Sequence, residues 1–161
     1  MSIIIFTGAV HSGKTTALLD WCKRQKDIAG ILMPDINGRR TILDLVTKEY
    51  TDIECDDPVT ANEKLVKVGR FHFYEAVFER FNSIIPQMLF SEPEWLVIDE
   101  AGKLELQEKG FYPAIKEVIE SVEKKGSKTK LILVFREGLC DELISFFKIK
   151  KYTIVSQPDG F

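Results

Sequence analysis

Cysteine is scarce in this chain and no pattern pairs it: Cys22, Cys55 and Cys140 are three in 161 residues, far apart in sequence. An odd, scattered set builds neither a disulfide framework nor a zinc site. Two of the three stand in apolar surroundings and are expected in the core, and the pattern fits a reducing, cytoplasmic setting. Long apolar runs are missing too, since nothing approaches the ~20 residues of a membrane span. The short run Ile3 to Phe6 has no basic stretch before it and no small-residue cleavage site after it, so no signal peptide is expected. Nor is there an excess of positive charge. The net charge is -3 at pH 7, which argues against nucleic acid as the main partner. The basic run Lys124, Lys125, Lys128, Lys130 is broken by Gly126 and Ser127 and reads as a solvated loop. No internal repeat, linker or low-complexity segment is present. The length suits one domain, 1–161, with a single core.

Hydrophobic patterning supplies the elements. Ile3 to Phe6 is a continuous β-branched and aromatic run, the mark of a strand buried on both faces. Thr7 to Gly13 reads as a loop, and Lys14 to about Gln25 as a helix packed on a sheet through Ala17, Leu18, Leu19, Trp21 and Cys22. Ile28 to Met33 is a second strand. Asn37-Gly38 signals a tight turn, because both residues tolerate positive φ, and residues 40–47 form the arm that follows it. Residues 50–66, with Asp52, Glu54, Asp56 and Asp57, read as an exposed acidic loop. Lys67 to Phe73 suggests a short strand, and Tyr74 to Leu89 a helix with a kink or break near Ile85, caused by Pro86. Trp95 to Ile98 and Leu131 to Phe135 are apolar strands, Phe111 to Val122 and Leu139 to Phe147 helices, and Tyr152 to Val155 a last strand. Strands alternating with helices predict an α/β fold with a mainly parallel sheet.

Two short segments carry the chemistry. Gly8-Ala9-Val10-His11-Ser12-Gly13-Lys14-Thr15 fits G-x-x-x-x-G-K-[ST], preceded by a strand and followed by a helix as that motif requires. Its glycines let successive N–H groups point into one concavity, and that nest together with a helix N-terminus attracts phosphate. Lys14 places a point charge on the β- and γ-phosphates, the Thr15 hydroxyl coordinates Mg2+, and Thr16 reaches toward the α-phosphate. His11, at a variable position, reads as loop-shaping or solvent-facing. The second segment is Trp95-Leu96-Val97-Ile98-Asp99-Glu100, where an acid ends an apolar strand taken to neighbour the loop. Asp99 is the candidate second metal ligand. Glu100 points differently and is the candidate base for an attacking water. Arg136 follows Leu131 to Phe135, at the edge where ligands gather in open α/β sheets, and is the candidate to meet charge on the γ-phosphate. Arg39, Arg40 and Arg70 are alternatives.

Val97-Ile98-Asp99-Glu100-Ala101-Gly102-Lys103-Leu104-Glu105-Leu106 resembles the second signature of a small P-loop nucleoside-triphosphatase family, first described in hyperthermophiles and including the cancer-related nucleoside-triphosphatase of vertebrates. Gly30-Ile31-Leu32, Gly38-Arg39-Arg40 and Asp44 to Thr47 resemble its glycine-aromatic strand, arginine-containing hairpin and following strand. Val68-Gly69-Arg70-Phe71 resembles its Val-Gly-x-aromatic motif, and the Phe78 to Pro86 spacing the helix after it. The resemblance covers roughly residues 3–135. The loop motif is generic, whereas Asp-Glu-x-Gly-Lys-x-Glu is far more specific. The resemblance implies a three-layer, RecA-like α/β fold: a mainly parallel sheet flanked by helices, with a β-hairpin insertion. It implies Mg2+-dependent hydrolysis of the β–γ bond of ATP, GTP and other nucleoside triphosphates, with broad tolerance. Carried over, Gly8, Gly13, Lys14 and Thr15 bind phosphate and metal, Asp99 binds metal, and Glu100 is the base. Lys103 matches a position that contacts the γ-phosphate, though it also reads as a surface lysine just past the strand. The pattern departs at Ser156 to Phe161, where the family commonly continues into a polar loop and a helix, so nucleotide preference is the property in question there.

A slow hydrolase is therefore expected, working as a monomer, with no nucleic acid or membrane partner and any protein partner unidentified. A nucleotide or small-molecule kinase is the first alternative, but no arginine-rich lid is legible, and acidic residues 50–66 would repel a phosphorylated acceptor. A nucleotide-dependent switch or assembly subunit is the second, with Phe71, Phe73 or Phe146 as contacts if exposed.

Overall fold

The computed structural model describes residues 3–8, 13–124 and 126–161. Its centre is a sheet in which five strands run parallel in the order β10 (Thr153–Val155), β1 (Ile3–Phe6), β9 (Lys130–Phe135), β8 (Trp95–Ala101) and β2 (Ile28–Leu32). Beyond β2 the sheet turns antiparallel, through β4 (Arg39–Asp44) and the short β3 (Asp35–Ile36), with β5 (Tyr50–Asp52) also on β4.

Strand alternation explains why the apolar runs are unbroken. Ile3 and Ile5 enter one core while Ile4 and Phe6 enter the other. Leu131, Leu133 and Phe135 likewise face away from Ile132 and Val134. The first core is covered by α2 (Glu75–Met88), α4 (Tyr112–Val122) and α5 (Cys140–Phe147), and the second by α1 (Lys14–Lys23), giving three layers. On α1, Leu18, Trp21 and Cys22 are the buried stripe. Trp21 packs edge-on against both Trp95 and Phe161, each 4.9 Å away between ring centres, an arrangement aromatic rings favour. Burial pushes the Cys22 thiol up to about 12.

Several expectations need correction. The acidic stretch 50–66 is not simply an exposed loop: it contains β5 and the start of β6 (Leu65–Val68), and Ile53 and Cys55 are buried. Their alternation with Asp52, Glu54 and Asp56 is a strand period hidden among charges. Residues 67–73 belong to a separate two-stranded hairpin, β6 with β7 (Phe71–Tyr74), closed by Gly69 at φ 59°. The arm after Asn37-Gly38 ends at Asp44, whose Oδ1 accepts hydrogen bonds from the Val46 and Thr47 amides and so bends the chain. Helix α2 continues through Pro86 to Met88 without a break, because the proline falls in its last turn. Lys130 is not part of a solvated loop: it begins β9, 4.3 Å from the Trp95 ring centre and 3.4 Å from Glu94. Lys125 lies outside the described residues. Of the three phenylalanines proposed as contacts, Phe73 is buried, and Phe71 and Phe146 are half-buried.

Candidate nucleotide site

At the C-terminal ends of the parallel strands, β1 leads through Gly8 toward the loop, and Gly13 closes it. Gly13 adopts φ 78°, a left-handed conformation natural to glycine, and stands at the N-cap of α1. The first turn of α1 carries no acid, so nothing there opposes an anion. Lys14 Nζ donates to the Gly8 carbonyl at 2.7 Å, which ties the ammonium to the segment that leaves β1. Ala9, Val10, His11 and Ser12 lie outside the described residues.

Asp99 meets this loop, but not from a neighbouring strand. β9 intervenes between β1 and β8, pairing with both. The strand ends still converge: the Thr15 hydroxyl donates to Asp99 Oδ2 at 3.4 Å, and the Met33 amide donates to the same oxygen at 3.0 Å. A bulge helps to aim the acids. Ile98 faces Leu133 and Ala101 faces Phe135, so β8 carries one more residue than β9 across this stretch, and such an insertion redirects side chains. The Asp99–Glu100 peptide is cis.

Asp99 is only 1% exposed, and its second oxygen, Oδ1, is buried with no hydrogen-bond partner. Burial, reinforced by the charge of Glu100, raises its carboxyl to about 6; the Met33 amide, Arg40 and Thr15 oppose the shift. A buried orphan carboxylate oxygen beside a hydroxyl suits a hard cation. Among the described residues no cluster of three His, Cys, Asp or Glu residues could hold a metal. Mg2+ does not need one, because it is commonly held by one or two carboxylates together with water and substrate phosphate.

A cleft of about 660 Å³ lies beside Thr15, and its lining includes Gly13, Lys14, Thr15 and Thr16 together with Glu100, Arg40, Arg70 and Arg136. The arginines differ in their engagements. Arg39 is bound to Asp56 and Asp52 and does not line the cleft. Arg40 Nε sits 2.9 Å from Asp35. Arg70 lies over the Phe71 ring, 4.9 Å from its centre. The half-buried Arg136 guanidinium has no hydrogen-bond or ion-pair partner among the described residues, while its backbone is fixed by the amide's bond to the Ala101 carbonyl. Lys103, the exposed first residue of α3 (Lys103–Leu106), lines a smaller adjoining cavity rather than the cleft.

One residue quoted only within a motif proves structurally central. Glu105 is 3% exposed; its two oxygens accept from the Gly102 amide at 2.7 Å and the Phe111 amide at 3.0 Å, fixing the loop that follows the acids. Burial raises its carboxyl to about 6. The signal was its place inside an apolar Leu-Glu-Leu run, where a carboxylate is buried only with partners. The Met33 amide also went unforeseen, since a backbone donor leaves no mark in sequence.

The strand order, the glycine-bounded loop feeding α1 and the acid pair on β8 define a P-loop nucleotide-binding fold of the α/β class. The pattern described as NTPase matches residues 3–156, and the chain belongs to that family, whose general activity is nucleoside triphosphate hydrolysis. The resemblance drawn from residues 97–106 agrees. Two solved structures share the fold. THEP1 from the hyperthermophile Aquifex aeolicus superposes with a TM-score of 0.72 at 18% identity, over 98% of this chain and 91% of that one. A human cancer-related nucleoside triphosphatase, determined in solution, gives 0.67 at 18% identity, over 97% and 88%. No curated protein matches the sequence. Among the described residues no helix is long and apolar enough to cross a membrane.

Proposed function

We propose that this chain, acting as one P-loop domain, hydrolyses Mg2+-bound nucleoside triphosphates at the β–γ bond. The observation that carries the reading is the Asp99 carboxylate, buried with one oxygen unsatisfied and the other 3.4 Å from the Thr15 hydroxyl. Asp99 and Thr15 would hold Mg2+, directly or through water. When bound, the ion neutralises charge shared by the β- and γ-phosphate oxygens.

The residues then divide the work. Lys14 exchanges the Gly8 carbonyl for β- and γ-phosphate oxygens. Glu100 accepts a proton from water as the water oxygen bonds to the γ-phosphorus, and the bridging oxygen leaves with the nucleoside diphosphate. Arg136, whose guanidinium has no competing partner among the described residues, meets the charge developing on the γ-phosphate. Lys103 is a weaker candidate, because reaching that phosphate requires it to leave the adjoining cavity. Broad nucleotide tolerance and slow turnover rest on the family resemblance.

The test is phosphate release from each of the four common ribonucleoside triphosphates. Wild-type protein is expected to release phosphate with Mg2+ and not with a chelator. Lys14→Ala and Glu100→Gln are each expected to lower the rate roughly 100-fold or more. Nucleotide binding without release in the wild type, or full activity in Glu100→Gln, sinks the proposal.

A further inference from the structure

The 660 Å³ cleft continues from the loop to a wall formed by Arg40, Glu54, Phe71 and Phe73. From there it adjoins a second cavity of about 150 Å³, lined by Val68, Phe78, Leu104 and Phe111 and touching none of the described loop residues. Arg40, Phe71, Phe73, Glu100 and Arg136 line both spaces. The triphosphate and one attacking water account for the loop end of the cleft, not for a second cavity that none of the described loop residues lines.

The chemistry of that wall is specific. The Phe71 and Phe73 rings are parallel within 8°, their centres 6.1 Å apart. Arg70 and Arg136 have no ion-pair partner among the described residues. Glu54 Oε2 accepts from the Arg40 amide, leaving its other oxygen for a hydroxyl or amine donor. Aromatic surface, the Arg136 guanidinium and a carboxylate acceptor together suit a small molecule with a planar ring, hydrogen-bond donors and an anionic group.

We propose that this wall is a subsite for a second small ligand of the nucleoside monophosphate class, bound beside Glu100 while the triphosphate occupies the loop. It deepens the hydrolytic reading by adding a ligand that competes with water for the space next to the base. Arg70 and Arg136 supply positive charge that no arginine-rich segment of the sequence displayed, while Arg40 is held by Asp35. Of the acids of residues 50–66, Asp52 and Asp56 are engaged by Arg39 away from the cleft, and Glu54 alone among the described residues lines it, its Oε2 accepting from the Arg40 amide.

The test is calorimetric titration of the full chain with AMP, GMP, CMP and UMP, with and without a saturating Mg2+ complex of a non-hydrolysable triphosphate. Saturable binding of at least one monophosphate is expected in both conditions, and in Lys14→Ala. Phe71→Ala should weaken it roughly 10-fold or more, by loss of the ring. Phe71→Leu, which keeps apolar bulk, should weaken it in the same direction. Phe90→Ala, at an exposed position after α2, should match the wild type. Four outcomes overturn the proposal: no saturable binding at millimolar concentration, displacement by the triphosphate analogue, loss in Lys14→Ala, or wild-type affinity in Phe71→Leu. Phosphate release should also fall along the same saturation curve. That second readout depends on hydrolysis and the binding does not, so the two readings fail separately.

Discussion

The Asp99 carboxylate is buried at a cost to stability that the proposed metal site would explain. Its folded-state value of about 6 lies above the ordinary 3.8, so between those values the folded chain holds a proton that the unfolded chain has lost. Stability from this group is therefore greatest below about pH 4 and falls as pH rises to about 6. Asn in its place keeps an acceptor for the Met33 amide and removes the buried charge. Asp99→Asn is expected to stabilise the protein without metal or nucleotide by up to about 3 kcal/mol at neutral pH, with little difference near pH 4. It should also abolish phosphate release. Urea midpoints at the two pH values measure the first effect, and equal midpoints at neutral pH would contradict it. Gly30 shows a different constraint at the same scale. It has φ 118°, and a Cβ there would lie 1.9 Å from the Val97 carbonyl oxygen, a backbone atom that cannot swing aside. Gly30→Ala should cost about 3 kcal/mol by separating β2 from β8 beneath the site, read as a lower urea midpoint with unchanged m-value.

At the scale of elements, the site depends on how segments are tied together. Asn82 on α2 donates to the Gly110 carbonyl at 2.8 Å and accepts from the Ala114 amide at 3.2 Å, joining α2 to the start of α4. Asn82→Ala leaves two backbone groups short of a partner and should cost about 2 kcal/mol. Hydrogen exchange should localise that loss to residues 110–114. The helices and parallel strands of this architecture were legible because each buries a continuous face, and periodicity records that directly. β5 and the start of β6 were not, because polar and acidic neighbours conceal them, although the strand expected over 67–73 overlaps the end of β6 and most of β7. The bulge at Asp99 and Glu100 was equally hidden, since it exists only relative to β9.

For the whole molecule, the loop end of β1 and the acid end of β8 belong to different parts of one sheet, with β9 between them. A ligand gripping both ends binds only the folded chain. Mg2+-nucleotide at a hundred-fold excess over its Kd should thus add about 2.7 kcal/mol to unfolding stability. The gain should vanish in Lys14→Ala or with chelator, and calorimetric melting measures it. Sequence alone determined the P-loop, the acid pair and the α/β layering, because each is written in neighbouring residues whose spacing is set by backbone geometry. Tertiary structure alone decided that β9 separates the two ends, that Arg39 is paired while Arg136 has no partner among the described residues, and that Phe71 and Phe73 line the space beyond Glu100. Those are properties of which distant segments touch, and the energy of such contacts is a sum over the folded chain that no local pattern carries.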